Sequence, residues 1–161
     1  MSLSFSEIRK RLEVKHNECI VKNKKTLNKE NCKVRNLPTD AIVMDLDKEG
    51  LPFDRNQPRC DYLVFVSKNN NIDGYVIELK SGEWEISKVN KQLQSGATFV
   101  QELKDNKQNC INLVAVVFGR RCKSQRKELK GKQMAQDKRY FIKYFGKLLL
   151  IKRKACGNNL I

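Results

Sequence analysis

The residues with the clearest chemical potential lie at the ends of two adjacent apolar segments. Asp61 stands at the start of one segment, and Glu78 and Lys80 stand at the end of the next. Residues two apart in a β-strand project from the same face, so Glu78 and Lys80 point together while Leu79 points to the other face. If the two segments pair as a hairpin, two carboxylates and an ammonium group meet at one end of a sheet.

Two carboxylates that converge on one point form a hard-oxygen site suited to Mg²⁺ or Mn²⁺. A metal ion there can polarise a phosphate and lower the pKa of a bound water. We therefore predict a divalent-metal site made by Asp61 and Glu78, with the backbone carbonyl of Leu79 as a further ligand. Lys80 would position or deprotonate the attacking water.

The Glu-x-Lys pattern alone does not establish such a site, because three further copies occur at Glu13/Lys15, Glu102/Lys104 and Glu128/Lys130. Those copies lie in sequence that we interpret as helix or basic surface, and residues two apart on a helix do not share a face. Only the copy at Glu78 ends an apolar strand. The alternative is a solvated strand end whose charges pair across the strands.

Hydrophobic spacing predicts the elements that position these residues. Ser4 can cap a first helix, and Ile8 and Leu12 then fall on one stripe. The segment KNNNIDG is typical of a turn. The predicted order is a helix from Ser4, a polar connection over 22–35, a strand over 40–47, a hairpin of strands 60–66 and 75–80 around a turn at 68–74, a helix over 83–106, and a strand over 110–118.

The remainder of the chain predicts a basic segment over 120–139, with a short helical pattern around 128–136, and then a closing hairpin around Gly146. The strand over 110–118 directly follows a helix, which favours parallel pairing with an earlier strand.

These elements together predict an α/β fold with a mixed central sheet flanked by helices and a C-terminal β-hairpin. At 161 residues the chain suits a single domain over 1–161. Its core would cover about 4–118, and the basic segment and closing hairpin would occupy 119–161.

The charge balance favours a polyanionic partner. Lys and Arg number 33 against 18 Asp and Glu, a net charge of +15, which indicates nucleic acid first and an acidic membrane surface second. The segment 120–139 holds nine Lys or Arg and two acids. We predict nucleic-acid contacts there; the alternative is a solubilising face. The predicted contact residues are Arg120, Arg121, Lys123, Arg126, Lys127 and Lys130.

Six cysteines are present and none has a CxxC partner, so a zinc knuckle is not indicated. The chain lacks a secretory signal pattern and a bilayer-length apolar run, so we expect a cytoplasmic protein with reduced thiols and no membrane. A cluster of Cys19, Cys32 and Cys60 is the alternative. Trp84 would either anchor the following helix against the sheet or stack on a base.

The segments RCDYLVF and YVIELKSG, followed by a helix that contains KQL, resemble the PD-(D/E)xK nuclease superfamily. The resemblance covers the predicted helix-strand-strand-strand-helix-strand order, and it implies a restriction endonuclease-like αβββαβ core. It assigns the first acid to Asp61, the second to Glu78 and the lysine to Lys80, with Gln92 as a fourth residue. A proline usually precedes the first acid, whereas Cys60 does here.

The resemblance also implies an activity: Mg²⁺-dependent hydrolysis of phosphodiesters, with DNA favoured over RNA as the substrate of an endonuclease. A compact nuclease of this kind would work as a homodimer or within a larger complex. Some members place a glutamate on the first helix, and the spacing leaves Glu7, Glu13 and Glu18 open. The alternative function is a nucleic-acid-binding protein or accessory subunit that has the same fold without catalysis.

Overall fold

The structure is a computed structural model that describes residues 4–47, 57–103, 111–119, 121–122 and 141–161. Within these ranges it has two α-helices, a short 3-10 helix at Asn17–Cys19 and eleven strands. In chain order the elements are α1 (Phe5–His16), β1 (Ile20–Val21), β2 (Leu27–Lys29), β3 (Cys32–Val34), β4 (Ile42–Asp45), β5 (Tyr62–Lys68), β6 (Asn71–Leu79), β7 (Glu83–Trp84), α2 (Ile86–Glu102), β8 (Ile111–Phe118), β9 (Arg121–Cys122), β10 (Phe141–Tyr144) and β11 (Lys147–Lys154).

Seven of the strands form one mixed sheet in the order β1-β4-β5-β6-β8-β11-β10. The strands β4, β5 and β6 make an antiparallel meander, whereas β8 runs parallel to both β6 and β11. The predicted α/β class, the mixed sheet and the parallel strand after α2 are confirmed. The closing hairpin is confirmed as β10–β11, and β11 continues beyond it to join the central sheet.

The two faces of this sheet bury different partners because alternate strand residues point in opposite directions. On the helix face, Leu63 and Val76 pack with Leu12 of α1 and Leu93 of α2. On the opposite face, which we call the hairpin face, a second apolar cluster joins the sheet to the β2–β3 hairpin and the C-terminal segment. That cluster includes Leu27, Val34, Val64, Ile77 and Leu160.

The prediction that 22–35 is only a polar connection is wrong, because this segment contains the β2–β3 hairpin. Glu30 and Asn31 turn the chain with φ values of 48° and 66°, the left-handed pair that suits a tight two-residue hairpin turn. Cys32 and Val34 alternate with exposed Lys33 and are buried. The hairpin therefore becomes ordered by packing onto the sheet.

Two further boundaries differ from prediction. The turn expected over 68–74 is confined to Asn69 and Asn70, again with positive φ values of 48° and 66°, so β6 begins earlier than expected. The helix expected from residue 83 begins at Ile86, and the residues before it form β7. Trp84 in β7 is buried in the helix-face core, which confirms the anchoring prediction for this residue.

The expectation that all cysteines are reduced is wrong for one pair. Cys32 and Cys156 form a disulfide with sulfur atoms 2.09 Å apart. The β2–β3 hairpin and the C-terminal segment meet there, and the Gly157 N–H donates to the Lys33 carbonyl. Cys19 and Cys60 are both buried, and Cys32 pairs with Cys156 rather than with either of them, so the predicted alternative cluster does not form. The bonded cysteines are 124 residues apart, and spacing does not reveal that contact.

Several predictions concern residues outside the described ranges: the helical pattern at 128–136 and the contacts of Arg120, Lys123, Arg126, Lys127 and Lys130. Arg121 belongs to β9, whose backbone pairs with β7. In the described part of the chain, neither α-helix has the length and apolar character needed to cross a bilayer.

Candidate functional site

The structure brings Asp61, Glu78 and Lys80 together at one edge of the sheet. Asp61 lies directly before β5, and its backbone N–H donates to the Ile77 carbonyl at 3.0 Å. Its Oδ2 accepts a hydrogen bond from the Leu79 backbone N–H at 2.8 Å. The Lys80 Nζ lies 3.5 Å from Glu78 Oε2. The antiparallel register of β5 and β6 therefore places the first acid beside the Glu-Leu-Lys segment.

Glu78 is a buried carboxyl group that is poorly compensated. Its exposed fraction is 1%, and its Oε2 has no hydrogen-bond partner. Burial, a hydrogen bond with the Asp61 carboxyl and the negative charge of Asp61 raise the pKa of Glu78 from 4.5 to about 9, and Lys80 offsets only part of this shift. Without a further cation, Glu78 is therefore protonated at neutral pH and shares a hydrogen bond with Asp61.

Close packing of α2 supports this edge of the sheet. A Cβ atom on Gly96 would lie 2.6 Å from Cys60 Sγ and 2.9 Å from Val76 Cγ1, so the helix approaches closely because residue 96 has no side chain. Cys60 is buried next to Asp61, and burial together with the charges of Glu78 and Asp61 raises the pKa of its thiol. The carboxyl groups are thus held against an apolar wall, which excludes water from one side.

Gln92 lies on α2 one helical turn before Gly96. Its Oε1 is buried without a hydrogen-bond partner, but in the ranges listed above no hydrogen bond or ion pair joins Gln92 to Asp61, Glu78 or Lys80. Its catalytic role stays a prediction. The first-helix candidates Glu7, Glu13 and Glu18 are all exposed.

Lys29 is a site residue that the sequence reasoning missed. It reaches the same edge from the hairpin face, with its Nζ 3.3 Å from Asp45 Oδ1 and 3.6 Å from Asp61 Oδ1, and it also pairs with Asp47. Its ammonium group lies 4.8 Å from the centre of the Tyr62 ring. Burial opposes the charge, but the hydrogen bond with Asp47 and the charges of the three aspartates raise the pKa of Lys29 to about 12.

A sequence signal for Lys29 existed in the alternation of Leu27, Cys32 and Val34 around the turn at Glu30–Asn31, which is typical of a hairpin. That pattern predicts the hairpin but not its docking site. Only the folded sheet shows that Lys29, the last residue of β2, lies beside Asp61.

The carboxylate oxygens of Asp61 and Glu78 are of the type that a divalent ion prefers, but they are few. Among the described residues, no three or more His, Cys, Asp or Glu side chains form a metal-binding group. A hard cation held by Asp61 and Glu78 would therefore complete its coordination with the Leu79 carbonyl, water or substrate oxygens. The buried Glu78 Oε2, which has no hydrogen-bond partner and only the Lys80 ammonium group nearby at 3.5 Å, is the observation that fits such an ion, because a further cation would favour the ionised carboxylate.

Lys80 also borders open space. A depression of about 340 Å³ is lined by Lys80, Glu83, Trp84, Glu85, Lys88 and Val89. A larger depression of about 460 Å³ lies elsewhere, along the outer side of α2 near Gln94 and Phe99, and none of the predicted site residues lines it. Of the proposed site residues, Lys80 lines the smaller depression, whereas Asp61 and Glu78 do not.

No family model, curated protein or solved structure matches this chain. The functional assignment consequently depends on the residues and contacts described above.

Proposed function

We propose that this protein is a metal-dependent nuclease of the PD-(D/E)xK type that hydrolyses phosphodiester bonds, with DNA as its substrate. The observation that carries the proposal is the meeting of Asp61, Glu78 and Lys80 at adjacent strand ends. The order α1, β4, β5, β6, α2, β8 supports it, since it corresponds to an αβββαβ core.

In this proposal Asp61 and Glu78 hold Mg²⁺ or Mn²⁺, with the Leu79 carbonyl as a further ligand. When bound, such an ion supplies Lewis-acid polarisation of the phosphodiester and stabilises developing negative charge. Lys80 orients the attacking water through its ammonium group, which points into the same space as Glu78 Oε2. The Leu79 N–H fixes the rotamer of Asp61, so the first acid is held in place before substrate arrives.

The basic segment supports nucleic acid as the substrate. The residue that follows β8, Gly119, lies beside Lys80, since Leu79 pairs with Phe118 at the end of the two parallel strands. The strand β8 therefore ends beside the proposed site, and the basic segment 120–139 follows it in the sequence. Its Lys and Arg residues would neutralise backbone phosphates, and DNA affinity should fall as salt concentration rises.

A cleavage assay tests the proposal directly. Purified protein is incubated with plasmid DNA and, in parallel, RNA, with Mg²⁺, Mn²⁺ or EDTA. We expect metal-dependent cleavage that falls by a factor of roughly 100 or more in D61N and E78Q, the loss expected when an essential group is removed. D73N is the matched control, because Asp73 lies on β6 far from the site. Wild-type cleavage rates in D61N or E78Q would disprove the assignment.

The second candidate is a nucleic-acid-binding protein without catalysis. One observation favours it: Lys29 already neutralises Asp61, and Glu78 is protonated when no further cation is present. Salt-sensitive DNA or RNA binding, with no metal-dependent cleavage of either polymer, would select this candidate.

A further inference from the structure

Lys29 places a positive charge beside the carboxylate that the proposed metal site needs most. The residue ends β2 on the hairpin face, whereas Glu78 and Lys80 approach from the helix face. Asp61 lies between them and contacts both groups. One carboxylate is thus shared by an ammonium group of the chain and by the proposed divalent ion.

Each oxygen of Asp61 already has a partner. Oδ2 accepts from the Leu79 N–H at 2.8 Å, and Oδ1 faces Lys29 Nζ at 3.6 Å. The Leu79 N–H is part of β6 and cannot move away without disrupting that strand. Lys29 has a flexible side chain and two other acceptors, Asp45 and Asp47. When a cation binds Asp61, Lys29 is the partner that gives way.

We propose that the Lys29 ammonium group is an internal competitor of the divalent cation: in the metal-free protein it lies 3.6 Å from Asp61 Oδ1 while it also contacts Asp45 and Asp47, and it moves away from Asp61 toward those two aspartates when the ion binds. This inference rests on the proposed function, because it concerns the same Asp61–Glu78 ion. It assigns Lys29 the role of a positioning residue that sets the cation concentration at which the site fills.

The physical basis is the repulsion of like charges at short range. An ammonium group 3.6 Å from Asp61 Oδ1 would lie within a few ångströms of a divalent ion on the same carboxylate, in partly buried surroundings where screening by solvent is weak. Removing that charge should therefore tighten cation binding. A residue with only a structural role would leave the affinity unchanged or weaken it.

The test is a Mn²⁺ titration followed by electron paramagnetic resonance and calorimetry, without nucleic acid. We expect K29M to bind Mn²⁺ at least about tenfold more tightly than wild type, and K29R to stay close to wild type. K33M is the matched control, because Lys33 is an exposed lysine on the neighbouring strand of the same hairpin, and its affinity should change by less than about twofold.

A second measurement uses a substitution that should weaken Mn²⁺ binding instead of tightening it. D45N removes one of the acceptors to which Lys29 would withdraw, so it should weaken Mn²⁺ binding in the wild-type background and have a smaller effect in K29M. Such non-additivity is the mark of groups that act through one another. Additive effects in the four proteins of this cycle would contradict the proposal.

The outcomes separate this inference from the proposed function. If wild type binds Mn²⁺ and E78Q abolishes binding, the metal site stands; unchanged or weaker affinity in K29M, or a second bound ion in K29M, then overturns the role of Lys29 alone. If wild type and E78Q bind no Mn²⁺ or bind it equally, the metal site itself is wrong. Should K29M fold only when Mn²⁺ is present, the inference is supported, and failure to fold even then overturns it.

Discussion

Two groups of charges meet at the same edge of the sheet, and they are balanced very differently. The pair of the buried Glu78 and the half-buried Lys80, which we call the buried pair after its carboxyl group, lies on the helix face, and one oxygen of Glu78 has no hydrogen-bond partner. The lysine cluster, Lys29 with Asp45 and Asp47, lies on the hairpin face, and its ammonium group contacts both aspartates. Asp61 belongs to both groups.

The difference indicates which face a bound cation would stabilise more. On the helix face, burial leaves a carboxyl group protonated until a positive charge arrives, since the pKa of Glu78 is raised to about 9. On the hairpin face, the chain supplies the positive charge itself. A buried group without its partner is costly, so the helix face gains more from a bound cation than the hairpin face does.

The largest expected effect comes from removing the Lys80 ammonium group of the buried pair. K80M removes the ammonium group that would orient the attacking water, so cleavage should fall roughly 100-fold or more. Mn²⁺ affinity should be retained or become tighter in K80M, because Lys80 Nζ lies 3.5 Å from Glu78 Oε2 and its charge also repels the ion, whereas E78Q should lose binding and cleavage together. Lys88 borders the same depression, so K88M is the matched control. Equal loss of metal affinity in K80M and E78Q would show that Lys80 supports the ion rather than the water.

The second prediction concerns the disulfide on the hairpin face and its contribution to the free energy of unfolding. The hairpin face is tied by Cys32–Cys156 across 124 residues, and a loop of this size gives a disulfide a stabilisation of about 2–5 kcal/mol. Reduction of the wild-type protein should lower its free energy of unfolding by that amount, measured by urea denaturation with and without a thiol reductant. A C32A/C156A variant should be insensitive to the reductant, and sensitivity in that variant would assign the effect to other cysteines.

The contrast between the faces also explains what the sequence could reveal. Glu78 and Lys80 are two residues apart, and Asp61 precedes a strand that a tight turn joins to theirs, so local rules suffice to bring them together. The β5–β6 hairpin, the parallel strand β8 and the closing hairpin follow from the same short-range patterns. These are the parts of the fold that the sequence analysis predicted correctly.

The lysine cluster depends on contacts that no local pattern encodes. Lys29 and Asp61 are 32 positions apart in the numbering, and they meet because the β2–β3 hairpin packs across the hairpin face. The apolar residues of this hairpin are few, so its polar, basic sequence favours a connection over a hairpin. The disulfide cannot be predicted from the sequence for the same reason. Cys32 and Cys156 are isolated in the sequence, and only tertiary packing brings them close enough to bond.

A smaller effect tests the protonation of Glu78 in the metal-free protein. Its pKa is raised by folding, so its contribution to stability is full below about pH 4.5 and is lost as the pH rises toward about 9. In EDTA, E78Q should have about the same unfolding temperature as wild type near pH 5 and a temperature a few degrees higher near pH 8. The comparison cancels the effect of His16, whose pKa is lowered by burial and Lys15. Parallel pH profiles for the two proteins would contradict the assigned protonation state.

The smallest effect concerns how α2 supports the buried pair. In G96A the new methyl group would meet Cys60 Sγ at 2.6 Å and Val76 Cγ1 at 2.9 Å. Overpacking of this kind lowers the free energy of unfolding by about 1–3 kcal/mol. Replacing glycine by alanine in a helix raises it by about 0.5–1 kcal/mol. A net loss of about 1 kcal/mol is expected in urea denaturation. G82A is the control, because a Cβ atom on Gly82 has no neighbour within 4 Å.

Because Cys60 and Val76 precede Asp61 and Glu78 by one and two residues, G96A should also weaken Mn²⁺ binding slightly more than G82A does. A G96A protein as stable as wild type would mean that β5 and β6 can move away from α2 at little cost, and the buried pair would then owe its geometry to the strand pairing alone.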